Sequence, residues 1–423
     1  MNTKTFAGLR TKLAVTSARL ATTVSRATGR GSGGMIGGLV AEKIDPDIMR
    51  SLGKQRPVIL VTGTNGKSTT TRMLAAAVRS QHSVATNEGG DNMNAGVISA
   101  LLAGQDASHV VLEVDELHVP QVAKMLKPAG LVLLNLSRDQ LDRVGEINKI
   151  ERVLRQCVED NPQMTVIANC DDVLVSSVAY AAKKVVWVSA GSSWLGEAVC
   201  CPRTGGHIVH EEDSWKAAKP LPDGVIFERA TPDWEACETG FRDGSTGKVY
   251  PMHLQLPGTA NRGNAAQAIA AAVACFNVPV EQAIRAVETV QDVAGRYSTI
   301  TYGDHEIHLL LAKNPAGWQE ALSMVDRSAD GLVIAVNGQV ADGEDLSWLW
   351  DVRFEEFEDI AVKAAGERGT DLAVRLTYAS VDHELLHDPL TAIQACPAGR
   401  VEVLANYTAF RDLRRALIQA KEA

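Results

Sequence analysis

Short, almost wholly apolar runs alternate with helically patterned stretches along much of the chain. The segments 57–62 (PVILVT), 109–114 (HVVLEV), 130–134 (GLVLL), 165–169 (TVIAN) and 184–188 (KVVWV) do not alternate polar with apolar. They read as strands buried on both faces. Between them, 69–80 and 149–160 repeat their apolar positions at helical spacing. Strand–helix alternation of this kind predicts an α/β fold with a parallel sheet covered on both sides. The pattern breaks between about 190 and 247, where Cys200, Cys201, Cys237, paired glycines and several prolines predict a small ribbon-like insert. Helix resumes at 261–275, rich in alanine. A second α/β series starts near Thr299, with 332–337, 359–364, 371–376 and 400–404 as its strand candidates. Three regions follow: a basic helix and glycine-rich loop over 1–50, a central domain over 51–294 that carries the insert, and a C-terminal Rossmann-like α/β domain over 295–423.

The first thirty residues change this picture. Arg10, Lys12, Arg19, Arg26 and Arg30 punctuate Leu9, Leu13, Val15, Leu20 and Val24, with no acidic residue until Glu42. Such a segment is a helix packed on the domain, an amphipathic helix at a membrane surface, or a targeting peptide. It lacks the continuous apolar core of a secretion signal. Residues 29–38 hold six glycines and read as a loop.

Length and composition narrow the class. The chain has 423 residues, 45% of them hydrophobic, enough for two or three domains with a sizeable core. A formal net charge of −9 argues against nucleic acid as the partner, because backbone binding needs a basic surface. The seven cysteines form no regular framework, which fits a reducing cytoplasm. No apolar run reaches the roughly 18 residues that a membrane span needs. The expected location is cytoplasmic, with peripheral attachment at the inner face of the membrane left open.

Candidate chemistry centres on Gly63-Thr64-Asn65-Gly66-Lys67-Ser68-Thr69, between the strand candidate 57–62 and a helix. Glycines let the backbone turn so that several N–H groups face one point. The helix N-terminus adds partial positive charge, Lys67 can reach terminal phosphates, and Ser68 can ligate Mg²⁺. The general loop pattern wants glycine at position 61, where this chain has Val61, so this is the compact variant. Glu113 ends the strand candidate 109–114, at the edge where parallel sheets bind ligands, and can hold the metal. Asp115 and Glu116, just beyond it, can equally be solvated loop charges.

Several segments together resemble one family. The loop 63–69 is similar to the ATP loop of the Mur ligases and folylpolyglutamate synthases. Thr86-Asn87-Glu88-Gly89 with Asn92, Met93 and Gly96 resembles the substrate-side loop that follows it. The run 135–143 (NLSRDQLDR) resembles the MurT variant of the Mur ligases, and 342–351 (DGEDLSWLWD) resembles the signature of the MurT C-terminal domain. The resemblance spans roughly residues 30–415. It implies a Mur ligase-like central domain and C-terminal domain, with Asn261 and Asn264 near the adenine and Gly295-Arg296 opening the last domain. It further implies ATP-dependent amidation of the α-carboxylate of D-glutamate in the lipid II stem peptide, with ammonia from a GatD-like class I glutaminase. In that family an aspartate of the synthetase completes the glutaminase Cys–His pair, and Asp351 is the matching residue, with Asp342 and Asp345 as rivals. None of this chain's cysteines sits on the glycine-flanked turn of a glutaminase nucleophile. MurT relatives also carry a four-cysteine zinc ribbon. Here Cys201-Pro202-Arg203-Thr204-Gly205 has threonine in place of the second cysteine, and Cys237 lacks its mate. Two thiolates do not close a tetrahedral site, so a zinc-free ribbon is expected unless Cys200, His207 or His210 fills in.

The expected catalytic set is Lys67, Glu113 and Asp351. ATP contacts fall to Gly63, Thr64, Asn65, Gly66, Lys67, Ser68, Thr69, Asn261, Asn264 and Arg296, and Mg²⁺ to Ser68 and Glu113. Two rivals share the loop. An amino-acid ligase of the Mur or folylpolyglutamate type would join an amino acid instead of ammonia. However, the roughly fifty residues before the first strand are too few for the nucleotide-sugar domain of ordinary Mur ligases. A motor-type ATPase would turn over ATP without a carboxylate substrate.

Overall fold

The computed structural model describes residues 3–27, 35–87, 90–137, 146–191, 198–211, 214–291, 297–343, 345–357 and 361–422. They form two compact units. The first takes in the described residues through Leu136, then Ile147–Leu256 and Ala260–Gln291; the second takes in Ser137, Glu146, Pro257–Thr259 and the described residues from Tyr297 on.

A nine-stranded sheet organises the first unit. Its order across the sheet is Val249–Pro251, Gly240–Asp243, Trp234–Cys237, Val185–Ser189, Thr165–Asn169, Gly130–Leu133, Val58–Thr62, His109–Glu113 and Val84–Ala85. Every pairing from Trp234–Cys237 to Val84–Ala85 is parallel, and the strands next to the phosphate loop are buried along their length. That burial explains their unbroken apolar sequences. The expected insert is only partly separate. Ile208–Glu211 and Ser214–Ala217 make their own two-stranded sheet, whereas Trp234–Cys237, Gly240–Asp243 and Val249–Pro251 extend the main one. Trp234 stacks on Phe241 at 4.5 Å, so cross-strand aromatic packing makes that extension favourable.

The glycine-rich stretch also departs from expectation at its end. Ile36–Ile44 is helical through Gly37 and Gly38, and glycine stands there because close neighbours leave no room for a side chain. A Cβ at Gly37 would lie 2.4 Å from Thr22 Oγ1 of the N-terminal helix Thr3–Ala27, and one at Gly38 would lie 1.8 Å from the Ala95 carbonyl oxygen. No helix among the described residues is long and apolar enough to cross a membrane.

The second unit holds a six-stranded sheet in the order Tyr297–Tyr302, His305–Leu311, Gly399–Ala405, Gly331–Ala335, Val362–Ala365 and His383–Leu385. Its first two strands form an antiparallel hairpin and the rest are parallel. The run 371–376, expected as a strand, lies inside the helix Gly369–Tyr378. Leu372 and Leu376 are buried four residues apart while Val374 faces solvent, which is helical spacing. Six residues, with Leu372, Val374 and Leu376 also alternating, carry too little periodicity to separate the two.

Candidate active site

Strand register assembles the phosphate-loop region. Val61 pairs with Glu113 on one side, and Thr62 with Leu133 on the other, so three chain segments leave the sheet side by side at its carboxyl edge. The helix Lys67–Arg79 starts immediately after Gly66. Its first backbone bond runs from Thr70 N–H to the Gly66 oxygen, which leaves the amides of Lys67, Ser68 and Thr69 ahead of the ladder. Gly66 has φ +83° and Gly63 φ +139°, conformations that L side chains rarely adopt. Space demands glycine as well. A Cβ on Gly66 would meet Asn264 Oδ1 at 2.5 Å, and one on Gly63 would meet the Asn135 carbonyl oxygen at 2.9 Å.

Asn135 staples the loop. Its backbone oxygen accepts from Thr64 N–H at 2.9 Å, its Oδ1 accepts from Asn65 N–H at 2.9 Å, and its Nδ2 donates to the Asn65 oxygen at 3.1 Å. The sequence placed Asn135 only inside a family motif. Its position two residues past the strand Gly130–Leu133 is the signal that could have marked it as a loop support.

Lys67 is buried. Its ammonium donates to the carbonyl oxygens of Gly63 and Thr64 and to Glu116 Oε1, the last at 3.1 Å. Glu116 is therefore not a solvated loop charge. Burial raises its carboxyl above the ordinary value, and the attraction of Lys67 opposes that rise. Glu113 is separately held. Its N–H and oxygen pair with the Asn87 side chain at 2.8 Å each, and its Oε1 accepts from Asn92 Nδ2 at 3.1 Å. The substrate-side loop also approaches the phosphate loop, since a Cβ on Gly90 would stand 3.8 Å from Ser68 Oγ. Glu88 and Gly89 lie outside the described residues, as do Gly295 and Arg296.

Asn264 is buried and its Nδ2 donates to Asn261 Oδ1 at 3.4 Å. Both lie on the helix Thr259–Phe276, with Asn264 against Gly66. The structure thus gathers Gly63, Thr64, Asn65, Gly66, Lys67, Asn261 and Asn264 around one loop. A glycine-walled cradle with a buried lysine and leading helix amides fits a nucleotide triphosphate. Glu113 and Ser68 supply oxygen donors of the kind Mg²⁺ takes.

In the second unit the three acidic candidates differ in what they do. Asp342 accepts from Thr408 N–H at 2.8 Å and from its hydroxyl, at the start of the helix Tyr407–Glu422. Asp345 accepts from Ser347 N–H at 2.8 Å, and that bond holds its carboxyl below the ordinary range. Asp351 is exposed at the end of the 3₁₀ turn Ser347–Trp350. Beneath it lies Arg375, buried, donating to the oxygens of Leu349 at 3.0 Å and Val352 at 2.7 Å and to Glu355 at 2.8 Å. Sequence reading missed Arg375 because it assigned that run to a strand. Trp348 stacks inward on Trp318, whereas Trp350 points outward and meets Tyr378 edge-on at 5.3 Å.

The turn after Cys201 persists with Thr204 in it: Gly205 N–H donates to the Cys201 oxygen and Cys201 N–H to the Gly206 oxygen. No group of three or more His, Cys, Asp or Glu that could hold a metal occurs among the described residues. Burial pushes the Cys157 thiol up to about 11 and Cys275 up to about 12, which keeps both protonated and poorly nucleophilic.

Residues 61–196 match the Mur ligase middle domain, and residues 311–410 match the MurT ligase C-terminal domain. The chain is 29% identical to the lipid II isoglutaminyl synthase (glutamine-hydrolyzing) subunit MurT of Streptococcus pneumoniae, over 97% of both chains. Its identity to the corresponding Staphylococcus aureus subunit is 28%, over 97% of this chain and 98% of the other. Among solved structures, a pseudomurein peptide ligase type C from Methanothermus fervidus superposes with a TM-score of 0.66 at 19% identity, covering 88% of this chain and 80% of that one.

Proposed function

This chain belongs to the MurT-type Mur ligases, ATP-dependent ligases by fold, and from that premise we propose that it is the synthetase subunit of a lipid II isoglutaminyl synthase. In this reading it converts the α-carboxylate of D-glutamate in the lipid II stem peptide to the amide, at the cytoplasmic side of the membrane. Ammonia comes from a GatD-like class I glutaminase bound as a partner subunit. The observation that carries the chemistry is the buried Lys67, aimed along the glycine cradle and held at rest by Glu116.

Bound ATP supplies the phosphoryl group; Ser68 and Glu113 would hold Mg²⁺, which would neutralise charge on that group. Lys67 exchanges Glu116 for phosphoryl oxygens as the substrate carboxylate attacks the γ-phosphorus, releasing ADP and forming an acyl phosphate. Ammonia adds to the acyl carbon, and the tetrahedral adduct expels phosphate and loses a proton to leave the amide. Asn261, Asn264 and Arg296 are assigned to the nucleotide. Asp351 is assigned to the partner's Cys–His pair, where a carboxylate orients the histidine. Its support is its place in the fold: it closes the 342–351 motif and is exposed at the end of the 3₁₀ turn Ser347–Trp350.

The test is mass spectrometry of lipid II incubated with the chain, ATP and Mg²⁺, supplied either with glutaminase and glutamine or with ammonium salt alone. Amide in both tubes is expected. Amide in neither, but a longer peptide on adding an amino acid, would replace this reading with an amino-acid ligase. ATP loss with unchanged lipid would replace it with an ATPase.

A further inference from the structure

The N-terminal helix Thr3–Ala27 is tied to the first unit along one side only. Ala14, Ala18 and Ser25 are buried, and Gly37 lets the helix Ile36–Ile44 come close at Ala18 and Thr22. Thr11 donates to Asp45 at 2.7 Å, Arg10 to the Ile44 oxygen at 2.6 Å, and Arg19 to Gln105 at 2.7 Å. The orientation of the helix on the unit is thereby fixed. On its other side Leu9, Leu13, Leu20 and Val24 are each between 60 and 63% exposed. At 3.6 residues per turn these four fall within about 60° of arc, a single outward stripe.

Cations border that stripe. Lys12 and Arg19, with Thr16 and Thr23, lie along one edge and Arg10 along the other, all exposed. No acidic residue occurs before Glu42, in a chain whose formal net charge is −9. An apolar band with basic margins on an otherwise acidic protein is complementary to a bilayer with anionic headgroups: the leucines enter the acyl boundary while the cations stay among the phosphates. A protein partner on the same stripe would have to bring its own acidic margins to meet these cations, whereas an anionic bilayer supplies them along its whole surface.

We propose that the outer face of the helix Thr3–Ala27 is a peripheral docking surface for anionic lipid bilayers, through Leu9, Leu13, Leu20 and Val24 with Arg10, Lys12 and Arg19. It holds the ATP-binding unit against the membrane without spanning it. The surface stands on the helix alone; only its use in presenting a lipid-linked substrate rests on the function proposed above.

Flotation of the full chain with vesicles tests it, comparing equal parts phosphatidylglycerol and phosphatidylcholine with phosphatidylcholine alone. The chain should float with the anionic vesicles and be released by raised salt. The double variant Leu13→Gln, Leu20→Gln should lose about tenfold in partitioning while keeping its circular dichroism and its ammonium-driven turnover. No flotation with either vesicle overturns the proposal, as does equal flotation of variant and parent. Stripe-dependent dimerisation in sedimentation velocity, without flotation, assigns the face to a second copy and also overturns it. Because the vesicles contain no substrate, this outcome is independent of the amidation assay.

Discussion

The phosphate-loop region and the turn that presents Asp351 solve opposite problems. In the first unit the polar groups are interlocked, with Lys67, Glu116 and Asn264 buried: Lys67 on Glu116, Asn135 on Thr64 and Asn65, Asn264 against Gly66. Each contact ties the phosphate loop or the first residue of its helix to another part of the unit, so the cradle is set before any nucleotide arrives. In the second unit the assigned carboxylate is on the surface, and the holding groups lie below it. Arg375 fastens the carbonyls of Leu349 and Val352 and leaves Trp350 and Asp351 outward. A site that must close around its own substrate is built inward. A side chain meant to finish another protein's site is built outward on a rigid base, and this contrast yields predictions that can break it.

The largest effect belongs to Asp351. Asp351→Asn should lower glutamine-driven amidation by the complex about 10⁴-fold, the scale of losing a triad carboxylate. Amidation from ammonium should stay at the parental rate. Equal loss from both nitrogen sources would mean that Asp351 serves the synthetase chemistry itself, and the inward–outward contrast would fail.

Lys67→Ala is the mirror experiment, with a loss of roughly 10²–10³-fold from either nitrogen source, as for removal of one preorganised donor. It also has a signature in stability. Burial raises the Glu116 carboxyl above its ordinary value of 4.5. A raised carboxyl favours the folded state while protonated, so its contribution is complete below the ordinary value and is lost as pH climbs through the raised one. Without Lys67 the carboxyl rises further. The melting-temperature gap between parent and variant should widen from about pH 5 to pH 8, and a gap independent of pH would rule out Glu116 as the resting partner.

How much of this the sequence could reveal follows from how local each feature is. The loop 63–69 and its flanking strand and helix were legible because glycine positions, lysine and apolar run lie within a few turns of one another. Glu113 was legible as a strand end. The partnership of Lys67 with Glu116 was not, since it depends on Val58–Thr62 pairing with His109–Glu113 and on the path of the loop beyond. In the second unit the motif around Asp351 was legible, yet its foundation was not. The run 371–376 reads equally well at either period, and only the helix turns Arg375 inward. The two units came through unevenly for the same reason: backbone-built sites leave local signatures, and side-chain foundations do not.

Arg375→Met tests that foundation. It should cost about 3 kcal/mol by taking the guanidinium donor from the buried Leu349 oxygen and leaving the Val352 oxygen only the Phe354 N–H, measured by urea denaturation. Glutamine-driven turnover should fall by more than ammonium-driven turnover, because the turn that aims Asp351 loosens. Parallel decline of the two would reduce Arg375 to a general stabiliser.

Asp342→Ala, the smallest change, distinguishes presentation from capping. Asp342 binds the Thr408 N–H and hydroxyl where the helix Tyr407–Glu422 begins. It also accepts from Gln339 N–H at 3.3 Å, so it joins the loop after the strand Gly331–Ala335 to that helix. Removing such a cap costs about 1–2 kcal/mol. The variant should show that loss in urea while its glutamine-driven and ammonium-driven rates keep the parental ratio. The two acidic residues stand at opposite ends of one ten-residue motif, and only the outward one should move that ratio. A change in the ratio for Asp342→Ala would transfer the glutaminase role to Asp342, and outward exposure would then fail as the mark of a carboxylate lent to a partner.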